Sequence, residues 1–216
     1  MIKLMNKTAQ AKSDVAQKGF VDPKIIIGGI VALAVIFFLA TGDFEFSASR
    51  NDQPSSPQKA EQSVPKSYQS DQYKFSLQYP ENWSVKEKQG QYVAAFFSPE
   101  ESSSDRYREF LGIKVVSITS KSNITLQEAS DLWEEQTKKE STADNFKIID
   151  RKSSTVSTIE ARDLVYTVDI EGTSAKGFVR IVLTDSNIYI LQYFAETDKY
   201  EKYLPDIEKI ISSVTL

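Results

Sequence analysis

Residues 177–195 read GFVRIVLTDSNIYILQYFA. Apolar side chains occupy both phases of the alternation in 178–183 and again in 188–194, so each segment is expected to be a strand covered on both faces. Asp185-Ser186-Asn187 between them carries the residues that a tight reversal favours. Two antiparallel neighbours at the centre of a sheet follow, with helices above and below.

Working outward, residues 159–171 and 146–153 read as two further strands, the first joined to the central pair through Glu171-Gly172-Thr173. A helix is expected from Thr125 to about Glu140. Glu128 stands three residues after Thr125, the spacing at which each side chain satisfies the other's exposed backbone N–H, and Leu126, Ala129, Leu132 and Trp133 form an apolar stripe. Upstream, four strands are expected in succession at 73–79, 83–88, 92–98 and 111–119. In the first, Tyr73, Phe75, Leu77 and Tyr79 alternate with polar residues until Pro80 ends the ladder; the second is read as its return strand. Downstream, Tyr200, Tyr203, Leu204, Ile207, Ile210, Ile211 and Val214 fall at helical spacing. Pro205 leaves two readings of that helix, a start near Leu204 or a kink.

The opening YKFSLQYPENW (73–83) and the closing IYILQYFAE and IEKIISSVTL (188–196 and 207–216) resemble the PsbP-like domain family. There an aromatic residue, a proline, a short turn and a tryptophan recur at the start, and a strand and helix close the domain. The usual turn has Gly before the Trp; Asn82 stands there here, a residue that tolerates left-handed backbone. The resemblance covers 68–216. It implies an α+β fold, an antiparallel β-sheet flanked by helices in an α/β/α sandwich that a fungal Ran-binding protein shares. It also implies a non-enzymatic domain that docks on a larger assembly, as the plant members do as extrinsic subunits of photosystem II. The ligands of the metal associated with the plant branch are not matched in this chain, so no metal is carried over.

Residues 25–42 hold an uncharged apolar run, IIIGGIVALAVIFFLATG. As a helix at about 1.5 Å per residue it would span about 27 Å, close to the hydrocarbon thickness of a bilayer. Lys3, Lys7, Lys12, Lys18 and Lys24 precede it, whereas Asp43, Glu45 and Asp52 follow it. By the positive-inside rule the N-terminus is cytoplasmic and the larger part lies outside. A cleaved leader is the alternative, with Ser47-Ala48-Ser49 as a poor cleavage site and a basic region longer than leaders carry. The expected organisation is a basic cytoplasmic tail (1–24), one transmembrane helix (25–42), a flexible linker rich in Ser, Gln, Pro and charge (43–67) and one domain (68–216).

The 216 residues include no Cys and no His. Disulfides, thiolate chemistry, Ser-His-Asp triads and His-containing zinc sites are therefore excluded. From Tyr68 onward 18 Lys and Arg face 24 Asp and Glu, a net charge of −6, so nucleic acid is not an expected partner. Glu100, Glu101 and Asp105, beside Arg106 and Arg108, form a loop cluster that can bind Ca²⁺ or a partner's charges, but it reads first as a solvated mixed-charge loop. Asp169 and Glu171 are paired carboxylates of the kind glycosidases use, and read first as acids on a wet edge. No Ser-x-x-Lys motif opens a helix. Trp83, Tyr189 and Tyr193 are candidates for a partner or ligand surface, and read first as core packing. Asn123 and Asn82 lie in Asn-x-Ser/Thr tripeptides and are glycosylation acceptors wherever the transferase exists.

The expectation is thus a single-pass, membrane-anchored binding or assembly module with no cofactor, metal site or catalytic residue, docking on a membrane-associated protein partner. A carrier or sensor of an apolar small molecule, held between sheet and helix, is the first alternative. A His-independent hydrolase is the second.

Overall fold

The structure, a computed structural model, describes residues 64–102, 108–118, 123–140, 144–170 and 172–216. The apolar run 25–42, the tail before it and most of the linker lie outside the described residues. Strands β1 (Lys66–Ser70) and β2 (Phe75–Tyr79) form an antiparallel hairpin. There follow β3 (Ser84–Gln89), β4 (Tyr92–Phe97), β5 (Phe110–Ser117), helix α1 (Leu126–Glu140), β6 (Asp144–Val156), β7 (Ile159–Ile170), β8 (Thr173–Leu183), β9 (Asn187–Glu196) and helix α2 (Tyr200–Ser212). The last seven strands make one sheet in the order β3-β4-β5-β9-β8-β7-β6, with every neighbouring pair antiparallel. Helix α1 carries the chain from β5 to the far edge, and the meander β6 to β9 returns it to β5.

Both faces of the centre are covered, as the patterning of 177–195 requires. Helix α1 packs on β7 and β8, where Ala129 and Trp133 meet Tyr166, Val168, Val179 and Ile181. Helix α2 and the β1–β2 hairpin cover the opposite face, burying Tyr200, Tyr203, Ile207, Ile210 and Ile211 against Phe75, Leu77, Phe96, Leu111, Leu191 and Tyr193. The capping box at α1 is formed: the Glu128 N–H donates to Thr125 Oγ1 at 3.2 Å and the Thr125 N–H to Glu128 Oε2 at 2.8 Å.

Three features depart from the sequence reading, and a fourth excludes one of its two alternatives. Strand β3 is not the return strand of β2: β2 pairs with β1 and with Thr215, while β3 edges the large sheet. The turn in which the Trp83 N–H donates to Pro80 O redirects the chain, and burial of Trp83 in the core fixes the new direction. Strand β1 begins at Lys66, inside the segment read as linker, because KSYQS has one apolar side chain and no legible alternation. Asn82 does not use left-handed backbone; among the described residues, the non-glycine positions that do are Lys74, Lys88, Asn145 and Ser157. Helix α2 starts at Tyr200 and runs through Pro205. An interior proline costs about 3 kcal/mol, and burial of Tyr200 and Tyr203 in the preceding turn offsets it.

Two tyrosine rings lie on glycines of the sheet. A Cβ on Gly177 would stand 2.0 Å from Tyr166 Cζ, and one on Gly112 would stand 2.5 Å from Tyr92 Cε1. Buried Gln192 joins the two rings: Tyr92 Oη donates to its Oε1 at 3.1 Å, and its Nε2 donates to Tyr166 Oη at 2.8 Å. Gly177→Ala and Gly112→Ala are each expected to destabilise the protein by about 1–3 kcal/mol through overpacking. Urea denaturation checks this, and a midpoint unchanged in both variants would contradict the ring-on-glycine packing.

Candidate functional site

A cleft of about 390 Å³ opens where the β1–β2 turn meets the β3–β4 turn, with Val115 of β5 at its floor. One wall is Tyr68 to Tyr73, the other Glu87, Lys88 and Gly90 to Val93. Left-handed residues lie at both turns, Lys74 (φ 56°) in the first, and Lys88 (φ 51°), near the end of β3, with Gly90 (φ 58°) at the second. The Tyr68 ring stands edge-on to Phe96 at 5.5 Å and tilted on Phe75 at 5.8 Å. Burial, and then the carboxylate of Glu87 beside it, push the Tyr68 hydroxyl up to about 12. Gln69 Nε2 donates to Asp71 Oδ1 at 2.7 Å, and Lys114 Nζ to Gln91 Oε1 at 2.8 Å.

A second polar cluster lies where β4, β5 and the start of α2 meet. Glu109 is 1% exposed; its Oε2 accepts from Ser98 Oγ at 2.9 Å, and its Oε1 lies 3.6 Å from Lys199 Nζ. Arg108 donates from Nε to Ser98 O at 2.8 Å, reaches Ser84 Oγ, and lies over the Phe97 ring. Glu101 Oε1 accepts from Lys202 Nζ at 2.8 Å and from Tyr203 Oη at 2.6 Å, and these two bonds hold its carboxyl below the usual range. Its charge is thus taken up within the domain.

The aromatic candidates do not form a surface. Trp83, Tyr189 and Tyr193 all belong to the core under α2 and the hairpin. Tyr193 lies on Tyr200 with centroids 5.0 Å apart and donates to Tyr200 O at 2.9 Å, while Trp83 stands edge-on to Tyr203 at 6.1 Å. Tyr189 acts from beneath the cleft: its Oη donates to Tyr73 O at 2.8 Å and pins one wall. Asn82 and Asn123 are both exposed, Asn82 in the turn after Pro80 and Asn123 just before α1. Asp169 accepts from Ser174 Oγ and Asn145 Nδ2, each at 2.7 Å, and those bonds lower its pKa. Glu171, Asp105 and Arg106 lie outside the described residues. Among the described residues no group of three or more Asp and Glu is placed to hold a metal ion. The cleft also differs from the sheet-to-helix cleft that an apolar carrier would need. Sequence reasoning missed it because its walls lie on two turns whose residues read as solvated, and nothing in their spacing joins them.

A family model described as PsbP-like protein matches residues 25–216. Among curated proteins none matches the sequence. The fold is similar to that of LpqN from Mycobacterium tuberculosis, described as involved in cell envelope biogenesis, with 12% identity and a TM-score of 0.55, covering 72% of this chain and 85% of that one. It is similar also to the cyanobacterial PsbP of Synechocystis sp. PCC 6803, with 12% identity and a TM-score of 0.55, covering 75% and 98%. The Saccharomyces cerevisiae Ran-binding protein Mog1p aligns over 71% and 95% at 6% identity and a TM-score of 0.49.

Burial is the leading cause that raises the pKa of Tyr92, Tyr166, Tyr193, Tyr200 and Tyr203, as it does for Tyr68. A raised pKa in the folded state means stability that is intact below the ordinary tyrosine value of 10.0 and lost as pH rises beyond it. Spectrophotometric titration is expected to show these tyrosines resisting ionisation near pH 10 and ionising together with alkaline unfolding. Independent, reversible ionisation of all 10 tyrosines near pH 10 would contradict their placement.

Proposed function

The chain belongs to the PsbP-like protein family, and from that premise we propose that it is a membrane-anchored module that displays its domain outside the cytoplasm. There the domain docks, without catalysis, on a membrane-associated protein complex. The observation that carries this is the uncharged run 25–42, long enough for one bilayer crossing, with lysines before it and carboxylates after it. The family match starts at residue 25, so it takes in the run as well as the domain. LpqN, which shares the fold, is described as a protein of cell envelope biogenesis, in keeping with an extracytoplasmic setting. The linker carries Pro and Ser with little apolar surface and lets the domain reach partners at the membrane surface. The domain's net charge of −6 suits a partner surface with basic patches, whose encounter it would speed at low salt.

Protease added to intact cells or spheroplasts tests the display. A tag at the C-terminus is expected to be lost and one at the N-terminus to survive, with the full chain staying in the membrane after an alkaline carbonate wash. A protected C-terminal tag, or release of the chain by carbonate, would overturn the reading. Mild crosslinking in the same membranes is expected to join the chain to a constant protein complex, and a chain that remains uncrosslinked would remove the docking role.

A further inference from the structure

We propose, building on the reading of the domain as a binding module, that the cleft between the β1–β2 and β3–β4 turns is a saccharide site. It takes a neutral sugar unit, seated on Tyr68 and Tyr73 and held by Asp71, Glu87 and Gln91. The volume of about 390 Å³ lies at the small end of the range of ligand pockets, roughly 300–1,000 Å³, and gives room for a disaccharide.

The lining decides the class of ligand. Two half-buried tyrosines, Tyr68 and Tyr73, stand among two carboxylates, the amides of Gln69, Gln72 and Gln91, and Lys88. An anion entering the cleft would meet Asp71 and Glu87 at close range. A cation would meet Lys88, with Lys114 bonded to Gln91 behind the wall. A wholly apolar ligand would strip water from both carboxylates and return no hydrogen bond to them. A sugar ring avoids all three costs. Its C–H faces pack on aromatic rings, and its hydroxyls donate to carboxylates and both donate to and accept from amides.

The site is also held in shape before any ligand arrives. Tyr189, from β9, fixes the Tyr73 carbonyl; Lys114, from β5, fixes Gln91; Gln69 fixes Asp71; and Phe75 and Phe96 hold the Tyr68 ring. Groups fixed by the strands beneath them lose little freedom on binding, which favours affinity in a small site. The left-handed backbone at Lys74 and Lys88, uncommon for residues with a side chain, marks both walls as conformations that the fold maintains.

The test uses the full chain in a sugar-free detergent, with maltose, cellobiose and N,N′-diacetylchitobiose as probes in saturation-transfer NMR. Inorganic phosphate, spermidine and laurate serve as the anionic, cationic and apolar controls. At least one disaccharide is expected to bind saturably at millimolar concentration or below. Asp71→Asn and Glu87→Gln, both at exposed positions, are expected to weaken it about tenfold each with unchanged Tm. Tyr68→Ala is expected to abolish it. Free oligosaccharide and the repeating unit of a polysaccharide share this chemistry: co-sedimentation with amylose, cellulose or chitin assigns the polymer as source, and binding of the free disaccharide alone assigns the small molecule. Failure of all three disaccharides would overturn the proposal, as would preferred binding of phosphate, spermidine or laurate, or an affinity unmoved in both carboxylate variants. A protease result that places the domain in the cytosol would overturn the display and leave these measurements standing.

Discussion

Two backbone hydrogen bonds close the domain on itself. The Ser76 N–H donates to Thr215 O at 3.0 Å and the Thr215 N–H to Ser76 O at 2.9 Å, so the second strand of the described domain pairs with the residues just after its last helix. Ser213 Oγ accepts from the Gln78 N–H at 2.8 Å, and Ser157 Oγ, in the β6–β7 turn, donates to Val214 O at 3.2 Å. A few residues after α2 thus bind the hairpin to one side and the far meander to the other. A two-stranded hairpin is marginal alone. This clasp and the apolar faces of Phe75, Leu77 and Tyr79 make it part of the core.

What the clasp positions is the cleft. With the hairpin laid over β4 and β5, Tyr68 comes against Phe96, Tyr73 comes within reach of Tyr189, and the Gln69 to Tyr73 turn faces the turn between β3 and β4. The opposite face of the sheet has a different task. There Tyr166 and Tyr92 lie on glycines and share Gln192, a packing that ties β4, β5, β7, β8 and β9 into one layer. One face is rigid packing under α1, and the other carries α2, the hairpin and the cleft.

The two-phase apolar segments made the central strands and their flanking helices legible, because burial on both faces leaves that mark on any sequence. The capping pair Thr125 and Glu128 made the start of α1 legible for an equally local reason. The hairpin β1 and the separation of β2 from β3 were not legible, since KSYQS has no alternation and the partner of Ser76 stands at the other end of the chain. Trp83, Tyr189 and Tyr193 read first as interior aromatics, and their burial agrees with that reading; alternation alone still left a surface role open, because it does not say how far a strand is covered. The cleft was invisible for a related cause: its polar residues become a site only when two distant turns meet. The apolar run 25–42 stands apart from this: it lies outside the described residues, and its reading as a membrane segment rests on length and charge alone.

Amide hydrogen exchange of the full chain examines the clasp on which the cleft depends. If the hairpin and the residues after α2 are part of one cooperative unit, the Ser76 and Thr215 amides will exchange as slowly as those of Val179 and Leu191 in the middle of the sheet. If Ser76 and Thr215 exchange orders of magnitude faster while Val179 and Leu191 stay protected, the hairpin opens on its own, and the wall that Tyr68 and Tyr73 supply is not a fixed part of the fold.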